Sequence, residues 1–263
     1  MIGLIRSELL KVVTTRVWWG LLIGVVLQAV AFSLLTALLL SAGTPDSGPA
    51  NWSDPAWART IYSAGMTVSY LCTLALGALT MSGERRHRTL SITLLASPHR
   101  WRVIVAKLVA MMAAGTGYGV ATVLASVLAG APLLISKGGS AQLTDGTVLR
   151  SLALTALVIG LWAILGLGVG TVIPNQVVAI VVPVAVAWIV DPIATLVLNV
   201  TDHGGIARFL ASSASAAMAS PSTTGQGGPT ELLPWWGGAL VMLGYAAVLG
   251  GAGAVATLQR DVT

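Results

Sequence analysis

The side chains that could do chemistry are few, and their spacing fits no catalytic arrangement. The chain has three histidines, His87, His99 and His203, and a single cysteine, Cys72. A zinc hydrolase needs HExxH, a serine hydrolase needs GxSxG, and a nucleotide-binding loop needs GxxxxGK followed by Ser or Thr. None of these motifs occurs in the sequence. We therefore predict that the chain is not an enzyme and binds no metal or other cofactor of its own.

Composition excludes the soluble classes of protein. Of the 263 residues, 56% are hydrophobic and 9% are charged, whereas soluble domains average about 25% charged residues. So little polar surface rules out an ordinary soluble enzyme, a nucleic-acid-binding domain and a disordered chain. The net charge of +5 is better explained by the Lys and Arg excess of cytoplasmic loops in membrane proteins. We expect membrane lipid around the chain and no nucleic acid partner.

Charge-free runs predict six transmembrane helices. A bilayer core of about 30 Å needs about 20 apolar residues for one crossing. The longest run, residues 151–190, exceeds one crossing, and Pro174 divides it because proline suits the first turn of a new helix. The fold class is therefore an all-α integral membrane protein with a transmembrane domain over residues 17–258. Its spans are predicted at about 17–40, 60–82, 108–135, 150–172, 175–199 and 235–258.

Basic residues predict the orientation of these spans. With the N-terminus inside, the cytoplasmic segments hold ten of the fourteen Lys and Arg residues but only three of the nine acids. This bias places both termini in the cytoplasm, including the tail 259–263, in a multi-pass protein of the plasma (inner) membrane. Residues 1–16 have an apolar helical face, which predicts an interfacial helix. The outer loop 200–234 contains a predicted short helix, Ile206–Ser220.

One acid falls inside a predicted span. Asp191-Pro192 follows Gln176 by fifteen residues, which is too early for the end of a helix that must cross the bilayer. Either the fifth span continues through Asp191 to about Asn199, or it ends early and Ile193–Val200 dips back into the membrane. The acid itself has two interpretations. It marks a helix terminus at the outer headgroups, or it lines an outward-facing vestibule and is a candidate for the cargo pathway, since intramembrane acids are costly and usually functional.

Three pairs of glycines have the GxxxG spacing that lets helix backbones approach closely. They are Gly20/Gly24, Gly115/Gly119 and Gly166/Gly170. We predict that these pairs form packing seams, within the chain or between chains.

The cytoplasmic loop 83–107 is the most informative segment, because it carries six of the fourteen basic residues. Thr89–Ala96 has helical capacity, Pro98 stops that helix, and an amphipathic stretch from Trp101 leads into the third span. A charge run of this kind is explained by anchoring alone. The order of helix, proline and amphipathic helix favours a second interpretation, in which a short helix parallel to the membrane is presented to a cytoplasmic partner.

The same loop carries the sequence pattern of a known family. The matching residues are Gly83-Glu84-Arg85-Arg86 with Arg88-Thr89-Leu90, then Leu94-Leu95-Ala96-Ser97-Pro98, and then Arg102-Val103 with Ala106-Lys107-Leu108. Together with Arg6-Ser7-Glu8-Leu9-Leu10-Lys11 at the start of the chain, they resemble the type-2 permease family of ATP-binding-cassette (ABC) transporters. About forty residues carry this pattern, and the six-span architecture extends the resemblance along the whole chain.

The resemblance implies functions that composition does not. It implies a connecting helix in residues 1–16, short re-entrant outer helices before the last span, and a coupling helix in the loop that docks on a separate ATPase. ATP and Mg²⁺ would bind that ATPase, and a second permease subunit would complete a homo- or heterodimer. The candidates for ATPase contact are Glu84, Arg85, Arg86, Arg88, Thr89, Leu90 and Pro98.

The function expected from these features is export of an apolar or amphipathic cargo, such as a lipid, a drug-like compound or a hydrophobic peptide. Nearly charge-free spans favour a cargo of this type. Two alternatives stay open: a secondary transporter that works without an ATPase, and a membrane scaffold or immunity protein that transports nothing.

Overall fold

The computed structural model describes residues 2–15, 17–42, 52–86, 100–219 and 232–259, and this part of the chain contains helices and no strands. The prediction of an all-α membrane protein is thereby confirmed. The helices are α1 (Ile2–Thr14), α2 (Val17–Ala42), α3 (Pro55–Ser63), α4 (Met66–Arg86), α5 (Arg100–Ser136), α6 (Gly146–Val172), α7 (Gln176–Val200), α8 (Gly204–Ala207), α9 (Ala211–Ala219) and α10 (Trp235–Gln259).

Five helical segments in the described residues are long and apolar enough to cross a bilayer. They are α2, α3 continued by α4, α5, α6 and α7. The predicted sixth span, 235–258, coincides with α10, whose apolar stretch is described from Trp235 to Gly251. That sixth crossing stays a prediction.

Short polar side chains cap the N-termini of three helices, α3, α6 and α7. Asp54 caps α3 by accepting a hydrogen bond from Ala56 N at 2.8 Å, and Asp145 caps α6 through Thr147 N, also at 2.8 Å. Asn175 caps α7 by accepting from Val177 N at 3.0 Å. Pro174 therefore lies just before the cap of α7 and not in its first turn, because the side-chain amide of Asn175 supplies the acceptor that free N–H groups need.

Helix α6 is the centre of the bundle. It packs against α4, α5 and α10, and most of its surface is buried, whereas α2 and α7 remain largely exposed. One core of the bundle forms around Trp162, with Leu74, Met218 and Met242 among its buried members. A second core around Ile159 and Met111 extends to Val12 of α1.

Two of the three GxxxG pairs are packing seams within the chain. Gly166 and Gly170 of α6 lie against the backbone of α4, and Gly115 and Gly119 of α5 lie against α6. A Cβ on Gly166 would lie 1.9 Å from Leu74 O, so only glycine permits this approach. The third pair, Gly20/Gly24, has no atom near enough to contact an added Cβ.

Helix α7 continues past Asp191 to Val200, so the helix does not end early at this acid. The continuation passes through a π-helical turn, Val186–Val190, immediately before Asp191. Insertions of this kind are rare and occur frequently at functional sites. Asp191 therefore lies within the helix, in a locally widened stretch, and not at its end.

Between α7 and α10, the described residues form two helices, α8 and α9, in place of the single helix predicted over Ile206–Ser220. The break comes after α8, between Arg208 and Leu210. Residues 213–215 and 217–219 of α9 are buried against α6 and α10. Gly238 of α10 makes this possible, since a Cβ there would lie 2.5 Å from Ala214 O.

Candidate functional site

A cluster of four charged side chains joins α1 to the end of α4 and the beginning of α5. Glu8 and Lys11 come from successive turns of α1, Glu84 from the last turn of α4, and Lys107 from the second turn of α5. Helix α1 lies against the beginning of α5. The cluster therefore lies at both ends of the loop 83–107.

Each lysine of the cluster forms ion pairs with both glutamates. The Lys107 Nζ atom donates to Glu8 Oε2 and to Glu84 Oε1, each at 2.6 Å. The Lys11 Nζ atom donates to Glu8 Oε1 at 2.5 Å and to Glu84 Oε1 at 3.1 Å. Two carboxylates thus share two ammonium groups, and the four formal charges cancel.

Burial makes these pairs energetically important. The side chains of Lys107, Glu8 and Glu84 are 7%, 5% and 9% exposed, whereas that of Lys11 is 40% exposed. Exposed ion pairs contribute about 0–1 kcal/mol. Removing one partner of a buried pair costs about 3–5 kcal/mol, since the remaining charge has lost its water.

The pKa values of Glu8 and Lys11 reflect a competition between burial and ion pairing. Burial raises the pKa of Glu8, but the charge and hydrogen bond of Lys107 and the hydrogen bond of Lys11 lower it, so that it lies below its ordinary value of 4.5. For Lys11, burial lowers the pKa, whereas the hydrogen bond to Glu8 and the charge of Glu84 raise it above 10.5. Both groups are charged at neutral pH.

These shifts predict how stability depends on pH. Because the native pKa of Glu8 lies below its unfolded value, its carboxylate contributes stability above pH 4.5, which is lost as the pH falls through the native pKa. We expect the thermal unfolding temperature in detergent to fall over that acidic range, and to fall less steeply in Glu8→Gln.

At alkaline pH, stability is expected to fall as the pH rises, because of Lys11. The contribution of Lys11 is present below pH 10.5 and is lost as the pH rises through its raised native pKa. Lys11→Met should flatten this alkaline limb, and it should flatten the acidic limb only in part, because Lys107 still lowers the pKa of Glu8. If Glu8→Gln leaves the acidic limb as steep as in the wild type, the carboxylate of Glu8 does not have the assigned role.

The residues predicted to contact an ATPase are described only in part. Glu84 lies in the charged cluster, with its backbone and side chain buried. Arg85 and Arg86 extend α4 to its end, and nothing further is described of their side chains. The remaining four, Arg88, Thr89, Leu90 and Pro98, lie outside the described residues. Their contact with an ATPase stays a prediction.

Sequence reasoning missed Glu8, Lys11 and Lys107 as members of one site. The signal was present for Glu8, which follows Ile5 by three residues and precedes Val12 by four, and so lies on the apolar face of α1. Lys107 similarly lies between the buried residues Val103 and Met111 on α5. A charge on an apolar helical face needs a partner, but the sequence does not identify that partner.

A second polar site lies around Asp191. Its Oδ2 atom accepts a hydrogen bond from Ser212 N at 2.8 Å, at the beginning of α9. Nearby on α9, the hydroxyl of Ser215 accepts from Trp162 Nε1 at 2.9 Å. The Trp162 ring in turn packs on Tyr70 of α4, with 4.7 Å between centroids. The candidate for the cargo pathway therefore lies where α4, α6, α7 and α9 meet.

Polar contacts also connect the spans near α2. Gln28 Nε2 donates to Gly65 O at 2.7 Å and to Ser69 Oγ at 2.5 Å, and Thr122 Oγ1 donates to Ser69 Oγ at 3.0 Å. These bonds tie α2, α4 and α5 together, as interhelical hydrogen bonds do in membrane proteins. No group of three or more His, Cys, Asp or Glu residues suited to a metal occurs in the part of the chain that the structure describes.

The five long apolar helices of the described residues are those of a multi-pass membrane protein. Comparison with protein families agrees, because the model for "ABC-2 family transporter protein" matches residues 4–192. The chain belongs to this ABC-2 family, which implies an ABC ATPase as partner in general. Among curated proteins, no match to the chain was found.

Proposed function

We propose that this chain is the membrane-spanning subunit of an ABC exporter and moves an apolar or amphipathic cargo with energy from a separate ATPase subunit. The cargo class is a lipid, a drug-like compound or a hydrophobic peptide. The observation that carries the proposal is the charged cluster of Glu8, Lys11, Glu84 and Lys107. Its position supports coupling between the ATPase subunit and the membrane-spanning helices.

The mechanical argument starts from the two ends of the loop. Glu84 lies two residues before the end of α4, and Lys107 lies seven residues after the beginning of α5. Both side chains pair with α1, and Lys107 pairs directly with Glu84. A displacement imposed on the loop between them therefore reaches α1, α4 and α5 together, because separating these helices would leave buried charges without their partners.

The remaining parts of the proposal concern the assembly. ATP and Mg²⁺ bind the ATPase subunit, so the permease itself is not an enzyme. A second permease subunit, identical or homologous, completes the translocation pathway. The excess of Lys and Arg in segments such as the loop 83–107 supports a plasma (inner) membrane location with both termini in the cytoplasm.

Co-purification with a candidate ATPase, such as the product of a neighbouring gene, tests the proposal. We expect Arg88→Ala to weaken assembly at least tenfold and to lower the ATPase activity that the permease stimulates. Arg150→Ala is the matched control, because Arg150 is an exposed arginine at the outer end of α6. It should assemble and stimulate like the wild type.

Two outcomes would contradict this function. Assembly that is unaffected by Arg88→Ala and by Glu84→Ala would remove the loop from the ATPase interface. Cargo movement in vesicles that lack any ATPase would favour a secondary transporter.

A further inference from the structure

Asp191 is a carboxylate inside a membrane-spanning helix, and one of its oxygens has no hydrogen-bond partner in the described part of the chain. The residue is 8% exposed. Oδ2 accepts from Ser212 N, whereas Oδ1 is buried without a hydrogen bond. The ion pairs found among the described residues involve other acids, so no cationic side chain there neutralises Asp191. A charge in this position is costly unless a partner compensates it.

The surroundings of Asp191 suit a cation. Helix α9 connects the carboxylate to two aromatic rings. Ser212 N donates to Asp191, and Ser215, one helical turn further on, accepts from Trp162 Nε1, whose ring packs on Tyr70. Faces of tyrosine and tryptophan attract ammonium and related groups by about 0.5–2 kcal/mol. An acid beside a pair of aromatic rings is an arrangement that recognises organic cations by charge and by ring contact together.

The local backbone allows this place to change shape. The π-turn Val186–Val190 ends at Asp191, whose N–H bonds to Val186 O. Pro192 follows and has no N–H, so one hydrogen bond of the helix is missing at this place. Helix α9 is held to this widened stretch of α7 by the hydrogen bond from Ser212 to Asp191.

We propose that Asp191, Tyr70 and Trp162 form a binding site for an organic cation, the charged group of an amphipathic cargo. The cation compensates the carboxylate and contacts Oδ1. Since Oδ1 is covered in this conformation, the site opens when α9 separates from α7 and the bond between Ser212 and Asp191 breaks. The inference takes its biological meaning from the proposed export function, but binding can be measured on the permease alone.

Tetraphenylphosphonium, with triphenylphosphine oxide as a neutral comparison, provides a direct test. The full-length chain in nanodiscs of zwitterionic phospholipid would be titrated with each compound and followed by tryptophan fluorescence, with empty nanodiscs as the background. We expect the wild type to bind the cation at least tenfold more tightly than the neutral compound. Asp191→Asn should lose at least tenfold in affinity for the cation and none for the neutral compound.

Asp202→Asn is the matched control. Asp202 is an exposed outer acid whose φ of 62° suits asparagine equally well, so binding should not change. Equal affinity of the wild type for the two compounds would overturn the proposal, and this comparison needs no variant. Undiminished cation binding by Asp191→Asn would overturn it too. Neither result depends on ATPase assembly, so failure of this site and failure of the exporter assignment can be distinguished.

Discussion

Replacing Lys107 by methionine is expected to lower the free energy of unfolding by about 3–5 kcal/mol. The substitution keeps most of the side-chain volume but removes the cation that Glu8 and Glu84 share at 2.6 Å. Two buried carboxylates then face a single lysine, Lys11, which is itself partly exposed. Denaturant titration in detergent micelles, followed by far-UV circular dichroism, would measure the loss.

Two further variants distinguish the charge effect from a general loss of packing. Lys11→Met removes the same functional group from a side chain that is 40% exposed, and should cost about 1 kcal/mol or less. Adding Glu8→Gln to Lys107→Met should recover part of the stability, because it removes one of the uncompensated charges. Equal losses for the two lysine variants, or a further loss in the double variant, would show that the cluster is not held by its charges.

The second large effect is expected where α4 and α6 touch through glycine. Gly166→Ala places a Cβ 1.9 Å from Leu74 O, and Gly77→Ala places one 2.1 Å from Ala163 O. The obstructing atoms belong to the backbone, so the helices must separate along their length. We expect each substitution to lower the unfolding free energy by about 1–3 kcal/mol, as overpacking does in well-packed cores, with a corresponding fall in the thermal unfolding temperature.

Gly24→Ala is the matched control for this prediction. It makes the same chemical change in a membrane-spanning helix, at a position where no atom lies within 4 Å of the new Cβ. Alanine also favours helix over glycine by about 1 kcal/mol, so stability should be unchanged or higher. Similar losses at Gly24 and Gly166 would mean that glycine acts through the backbone and not through helix contact.

Much of the fold could be predicted from local pattern. Runs without charge indicated apolar helices, and the structure has helices at each of these places. The break around Pro174 was also visible, because a proline and a short polar residue mark a new helix. The break within the outer helix, after Ala207, was not predicted, since it depends on how α9 packs against α6 and α10 and on no proline within the segment.

The candidate sites could be predicted less completely. The family pattern of the loop 83–107 marked Glu84, and hydropathy marked Asp191 as unusual. Neither pattern indicated that Glu84 is paired with Lys107 and Lys11, or that Asp191 caps α9 through Ser212. These partners are remote in sequence. The sequence does not show whether a charged or hydroxyl side chain faces water or another helix.

By itself, the sequence determined the class of this protein: an all-α membrane chain with a basic loop between two apolar helices and the family pattern of an ABC-2 permease. Composition and hydropathy suffice for this because the bilayer acts on each segment separately, through its length and apolar content. Only the tertiary structure decided which polar residues meet. It brought Glu8 to Lys107, placed Gly166 but not Gly24 in a helix seam, and left one oxygen of Asp191 without a partner. Those outcomes depend on contacts between helices, which are set by packing and not by the hydropathy of any one helix.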